Sequence, residues 1–270
     1  DLIFPFFLFI VGVAITISLK KRKDRGDSQS ALIKQIGKRA LILFGLGILL
    51  STFPFYNFGT GEWVDFSKVR IPGVLQRIAV VYLVTAILFL RTSLKTQMSI
   101  AAGLLFLYWF MMTLIPVPGV GYANLDPATN FAAYIDNMFL SGHMWSVTKV
   151  WDPEGILSTL PAIVTTLTGM FLGYWLVSDK DKLTKIIWIF VFANFAVVLG
   201  LIWDLPFPMN KSLWTSSYVL YTTGLALHFF AMCYWLIDMK GYTFWTKPFL
   251  VYGSNAITVF FLSGLMARFM

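Results

Sequence analysis

The residues best suited to chemistry lie in Trp151-Asp152-Pro153-Glu154-Gly155-Ile156-Leu157-Ser158, where a long polar loop runs into an apolar stretch. Two carboxylates at such a mouth can hold an ammonium, accept a proton or orient a base. The spacing predicts that Asp152 caps a helix, that Pro153 takes its first position and that Glu154 sits in its first turn. A well-capped helix end facing water would use the same residues, so an active-site rim and a plain cap both fit.

Positive charge of matching depth comes from Arg70-Ile71-Pro72-Gly73-Val74-Leu75-Gln76-Arg77. Pro72 is expected to start a helix, which carries Gln76 and Arg77 at least one turn inside a membrane. An arginine there either snorkels back to the surface or meets an internal acid such as Asp152 or Glu154, or a bound anion. A third polar stretch is Asn210-Lys211-Ser212-Leu213-Trp214-Thr215-Ser216-Ser217-Tyr218. Its hydroxyls either join helices or touch a ligand, and Trp214 either marks the interface or lines a site. Asn255, in Gly253-Ser254-Asn255, is expected inside an apolar helix as helix glue or a ligand contact.

Other chemistries find little support. His143 lies in a loop and His228 within a span, and a lone histidine is more often structural than catalytic. Cys233 is the single cysteine. No metal-ligand spacing, P-loop, dinucleotide fingerprint or Ser-His-Asp arrangement occurs, so no metal is expected.

The elements that must position these residues are membrane helices. Of 270 residues, 58% are hydrophobic and 13% charged, against about 25% charged in soluble domains. Leu2 to Leu19 is an apolar run followed by Lys20-Lys21-Arg22-Lys23; at roughly 1.5 Å per residue it spans about 27 Å, the thickness of a bilayer core. Further runs cover 40–55, 72–90, 98–115, 156–177, 186–203, 214–237 and 249–267, so an all-α polytopic bundle of eight transmembrane helices is expected. Fifteen of the 21 Lys and Arg residues fall in alternate turns at 20–39, 91–97, 178–185 and 238–247. That asymmetry puts those turns in the cytoplasm and Asp1 outside. The net charge of +8 therefore reflects orientation, and no nucleic-acid partner is implied. The external loops are long, above all 116–155, in which Asp126-Pro127 opens an amphipathic segment with Phe131, Tyr134, Ile135, Met138 and Phe139 on one face. The chain reads as one membrane domain over 1–270, a fragment cut within longer sequence at both ends.

Five segments carry a family resemblance: Asp1-Leu2-Ile3-Phe4-Pro5-Phe6-Phe7-Leu8-Phe9-Ile10-Val11-Gly12, Val69 to Arg77, Tyr134-Ile135-Asp136, Asp152 to Ser158 and Asn210 to Thr215. In this order the sequence resembles the transmembrane heparan-α-glucosaminide N-acetyltransferase family and its bacterial relatives, some of them labelled N-acetylglucosamine-related transporters. The resemblance implies transfer of an acetyl group from cytosolic acetyl-CoA to the amino group of glucosamine, free or terminal in a glycan, across the membrane. It implies an integral protein of a bacterial inner membrane with its long loops in the periplasm. The family's catalytic histidine is expected upstream of Asp1. Asp152 and Glu154 would then hold the amine or orient that histidine. Arg70, Gln76, Arg77, Ser158, Asn210, Lys211, Trp214, Ser216 and Asn255 would bind acetyl-CoA or sugar, with Asn210, Asn255 and Ser216 as oxyanion donors. The implied partners are acetyl-CoA, an amino-sugar acceptor and the lipid bilayer, with self-association left open. An amino-sugar permease and a non-catalytic scaffold remain as alternatives; a permease would be expected to show repeated halves with broken helices, and no repeat is visible.

Overall fold

The computed structural model describes residues 2–57 and 61–268; Asp1, and with it the expectation of an external N-terminal end, lies outside the described residues. The regular structure of the described chain is helical apart from one two-residue hairpin, β1 (Tyr56–Asn57) with β2 (Glu62–Trp63), paired antiparallel with Tyr56 opposite Trp63. The helices in order are α1 (Ile3–Asp24), α2 (Gln29–Thr52), α3 (Val74–Arg91), α4 (Leu94–Thr113), α5 (Phe131–Leu140), α6 (Thr159–Leu176), α7 (Lys182–Asp204), α8 (Ser216–Tyr234), α9 (Thr246–Ser254) and α10 (Ala256–Met266). A single 3-10 turn covers Phe66–Lys68, and α8 ends in a π turn at Trp235–Met239.

Local chemistry explains where most of these begin. Ser28, Ser93, Asn130 and Asp181 each accept a backbone N–H from the first turn of α2, α4, α5 and α7, satisfying donors that the helix itself cannot. The amphipathic segment forms as α5, but its cap is Asn130 instead of Asp126. α3 begins at Val74, two residues after Pro72, with Gly73 as its cap.

Among the described residues six helices are long and apolar enough to cross a membrane: α1, α3, α4, α6, α7 and α8 with its π turn. α9 and α10, bent by 74° at Asn255, make a seventh if they act as one broken span. The expected eight are corrected to six or seven. α2 has the length, at 24 residues, and runs beside α3, but with Lys34, Lys38 and Arg39 in its first half it is not among these six.

α6 is the hub. It packs on α1 along one side and on α3, α4 and α8 along others, while α2 pairs with α3 and α7 with α8. Glycines permit the closest approaches: a Cβ at Gly169 would overlap the Phe9 carbonyl oxygen, and one at Gly12 would overlap that of Thr166. Close backbone contact between small residues is the usual basis of helix association where lipid removes the hydrophobic drive. Thr16 adds a hydrogen bond across this seam to the Met170 carbonyl at 3.1 Å. At the basic end, Lys20 donates to the Val177 carbonyl and Gln97 to the Tyr174 hydroxyl. The polar segments around 70, 152 and 211 gather at the other end.

Candidate active site

Asp152 organises this end, although not as a helix cap. α6 starts at Thr159, with Ser158 before it, because residues 152–158 fold into successive turns instead of helix. The Asp152 carboxylate accepts four N–H groups: Arg70 Nε at 2.8 Å, Arg70 Nη2 at 2.6 Å, the Trp145 amide at 2.9 Å and the Glu154 amide at 3.0 Å. Its side chain is fully buried, so this is a desolvated, bidentate ion pair of the strong kind. Arg70 Nη2 also reaches Glu154 Oε2 at 2.5 Å. Burial alone would lower the Arg70 pKa, but Asp152 and then Glu154 outweigh it and raise the value.

Arg77 was expected to snorkel, to join these acids or to meet a bound anion; it neither snorkels nor pairs with an acid. It is buried and hydrogen-bonds the Ser158 hydroxyl and the Gly155 carbonyl. Its guanidinium lies 5.2 Å from the centre of the Trp214 ring, a cation–π arrangement. The acids belong to Arg70, and Arg77 braces the loop that carries them.

Trp214 is therefore a core residue and no interfacial marker. Its indole N–H donates to Thr165 at 3.0 Å, and Phe4 and Tyr218 pack edge-on against it. Its φ of 54° is a costly conformation for a bulky side chain, retained only where surroundings over-determine it. Asn210 helps to do so: its side-chain oxygen accepts the Leu213 amide, and its backbone pairs twice with Thr215. Ser216 is buried and donates to the Leu105 carbonyl, joining α8 to α4. Asn255 is exposed at the α9–α10 break and donates to the Val251 carbonyl, so the expectation of a buried amide does not hold. It had looked buried because its neighbours in sequence are apolar, yet α9 and α10 lie at the bundle edge with those side chains turned outward.

Phe4, Arg70, Val74, Trp145, Glu154, Lys211 and Trp214 line a cavity of about 300 Å³. Two tryptophans, two cations and a carboxylate face one space. A second cavity of about 330 Å³ shares Phe4, Val74, Glu154 and Lys211 with it. That one shares Phe7, Ile78 and Ile257 with a third, of about 510 Å³, which extends to Arg39. Gln76 and Arg77 line a separate cavity that also meets Glu154. Of the sequence-derived candidates, Arg70, Glu154, Lys211 and Trp214 share the first cavity, and Asp152 and Ser158 hold its walls. Asn210, Ser216 and Asn255 line none of these four. His143 binds the Val69 carbonyl and His228 the Gly224 carbonyl, both structural roles. Among the described residues no cluster of three potential metal ligands occurs.

Sequence reasoning passed over Asp136. It is buried on α5 beside Ala132 and Ala133 and accepts the Ile156 amide at 2.9 Å. Burial pushes its carboxyl up to about 6, helped by nearby Asp152 and opposed by the backbone hydrogen bonds and Arg77. The available signal was an acid on the side of α5 opposite its large apolar residues, beside the small Ala132 and Ala133.

Membrane-crossing helices with an ion-paired, tryptophan-lined hollow opposite the basic loops define a polytopic helical membrane protein with a small polar cavity. Residues 1–207 match the family described as "Heparan-alpha-glucosaminide N-acetyltransferase, catalytic". The chain belongs to this heparan-alpha-glucosaminide N-acetyltransferase family. It is 32% identical over 311 aligned residues to the heparan-alpha-glucosaminide N-acetyltransferase of Homo sapiens, covering 96% of this chain and 46% of the relative. Against the protein of that name from Mus musculus it is 31% identical over 313 aligned residues, with the same coverage. The chain thus spans about half the length of the curated relatives it matches.

Proposed function

We propose that this membrane domain transfers an acetyl group from acetyl-CoA to the amino group of a glucosamine held at the end of the bundle opposite the basic loops. The observation that carries the reading is the cavity in which Glu154, Arg70, Lys211, Trp145 and Trp214 converge. Tryptophan faces suit the apolar faces of a sugar ring, and a half-shielded carboxylate suits an ammonium. Asp152 acts indirectly, by fixing Arg70 and the loop from which Glu154 projects.

The neighbouring apolar cavities along α1, α3 and α10 supply a slot of suitable chemistry for the thioester-bearing arm of acetyl-CoA. Arg39 at the far end is placed to meet its phosphates, and that end carries the cytoplasmic-type basic loops. In the reaction the ammonium first gives a proton to a base; the neutral amine nitrogen then bonds to the acetyl carbon, the carbon–sulfur bond breaks, and the nitrogen's second proton passes to the departing thiolate. Glu154 holds the amine in place for this step. Neither His143 nor His228 lines the cavity, and neither is assigned the role of base. The resemblance to the family's bacterial members supports a bacterial inner membrane, with the site on the periplasmic side.

The test is a liposome assay on the full-length protein with acetyl-CoA on the basic-loop side and glucosamine on the other. Acetylated glucosamine is the expected product, and transport of unmodified sugar without donor would overturn the reading in favour of a permease. The broken α9–α10 pair is the one feature a permease would share, and among the described residues it has no repeated counterpart.

A further inference from the structure

Three N–H-bearing atoms at the start of α3 find no acceptor among the described residues. They are Arg77 Nε, Arg77 Nη1 and Gln76 Nε2, on side chains that are only 3% and 4% exposed. A buried donor left unsatisfied costs about 1–3 kcal/mol, more on a cation, so such groups in a native protein need an explanation. Both side chains line the same cavity, of about 370 Å³, whose other walls are mainly apolar: Phe44 from α2, Val80 from α3, Leu140 from α5, and Leu160 and Ile163 from α6. Ile156 and Val80 are 41% and 37% exposed, so the rim of the crevice is apolar and lies on the flank of the bundle, where lipid stands.

The charges select among ligands. Asp152 and Glu154 both pair with Arg70; Arg77 pairs with neither but stands in the field of both and of Asp136, whose carboxylate meets the Ile156 amide. A phosphate in the crevice would stand against the Glu154 carboxylate on its wall. A neutral oxygen acceptor carries no such penalty. Arg77 follows the first residue of α3 by three positions, a descent of about 4.5 Å into the span. That depth falls in the interfacial layer of roughly 5–7 Å on each face of a bilayer, where the ester groups of a diacyl lipid lie. An apolar crevice open to lipid with hydrogen-bond donors at its floor matches one acyl chain and the ester carbonyl at its head.

We propose that this crevice is a lipid-binding site in which an ester carbonyl of a bilayer diacyl lipid accepts hydrogen bonds from Arg77 and Gln76. The site lies across Glu154 from the cavity assigned to the sugar and does not depend on that assignment. Native mass spectrometry of the full-length protein, exchanged into detergent with added phosphatidylglycerol, tests it against the dialkyl ether analogue, which keeps the headgroup and lacks the carbonyls. The ester lipid should be retained about tenfold more tightly, the equivalent of one good hydrogen bond. Gln76→Leu should shrink that preference. Val80→Trp, which fills the crevice and leaves both donors intact, should abolish retention even if Arg77 variants fail to fold. Equal retention of ester and ether lipids would overturn the proposal, as would retention indifferent to Val80→Trp. Displacement by inorganic phosphate would mark an anion site, and displacement by acetyl-CoA an acyl-donor site; either result refutes the lipid.

Discussion

Replacing Asp152 by asparagine keeps the shape of the side chain and removes one acceptor oxygen. Asp152 Oδ1 takes Arg70 Nη2 and the Glu154 amide, while Oδ2 takes Arg70 Nε and the Trp145 amide. Whichever way the asparagine turns, its NH2 group faces two donors. Two buried N–H groups, one on a cation, are left unpaired at about 1–3 kcal/mol each or more. That agrees with the roughly 3–5 kcal/mol typical of removing one partner of a buried ion pair. For a chain of this size about 2–4 °C accompanies each kcal/mol, so the melting temperature of the full-length protein in detergent should fall by roughly 10 °C. The decisive measurement is a cycle with Arg70→Gln: the double variant should be destabilised by at least about 2 kcal/mol less than the sum of the singles. If Asp152→Asn melts within about 2 °C of the parent, or the two effects simply add, Asp152 does not anchor this loop and the positioning role given to it is wrong.

Glu154→Gln should behave differently, because only one of its oxygens meets Arg70 and the side chain borders three cavities. Thermal stability should move by less than about 1–2 kcal/mol, while KM for the amino sugar rises about ten- to a hundredfold from the lost charge-assisted contact; unchanged kinetics would remove Glu154 from the site. Asp136 supplies a pH signature. Its folded carboxyl titrates near 6 against the usual 3.8, so the native state holds this proton across a window in which the unfolded chain has lost it. The stabilisation, roughly 3 kcal/mol at most, is complete below about pH 4 and disappears as pH rises through about 6. Melting curves should therefore show Asp136→Asn more stable than the parent near pH 7, with the gap closing by pH 4, and parallel profiles would contradict the burial argument. Gly169→Ala puts a methyl into the Phe9 backbone. It should separate α1 from α6 at a cost above the usual 1–3 kcal/mol of overpacking, seen as lost monodisperse protein on size exclusion; wild-type behaviour would mean the seam is looser than described.

What could be read from the sequence follows from which signals are local. The basic turns and apolar runs reveal a polytopic bundle because lipid acts on each segment separately. Helix caps were less legible, since α5 is capped by Asn130 instead of Asp126. The α6 start was misplaced because Asp152-Pro153 carries the local signature of a cap and first position, whereas the partner that uses Asp152 lies 82 residues away at Arg70. Asp136 escaped for a related reason. On a soluble helix the apolar face is the buried one, but on α5 Met138 and Phe139 are exposed while Ala132, Ala133 and Asp136 turn inward. Beside a membrane, hydrophobic pattern alone does not say which face meets protein.

The two arginines show why composition at a site is not yet its chemistry. Both lie close enough together in sequence to reach the same acids, and burial alone favours pairing for the deeper one. Arg70 sits before α3 begins and approaches Asp152 edge-on, meeting the carboxylate with two parallel N–H groups. Arg77, inside the helix, is held by a hydroxyl, a carbonyl and the face of Trp214, none of which consumes its charge. The arrangement thus spends one guanidinium on holding the loop and keeps the other buried with spare donors. Exchanging the roles by substitution should fail in an instructive way: Arg70→Lys, which keeps charge but cannot form the fork, should lose stability without altering lipid retention. Loss of both together would mean that the two arginines form one unit, and the separate functions assigned to them would collapse.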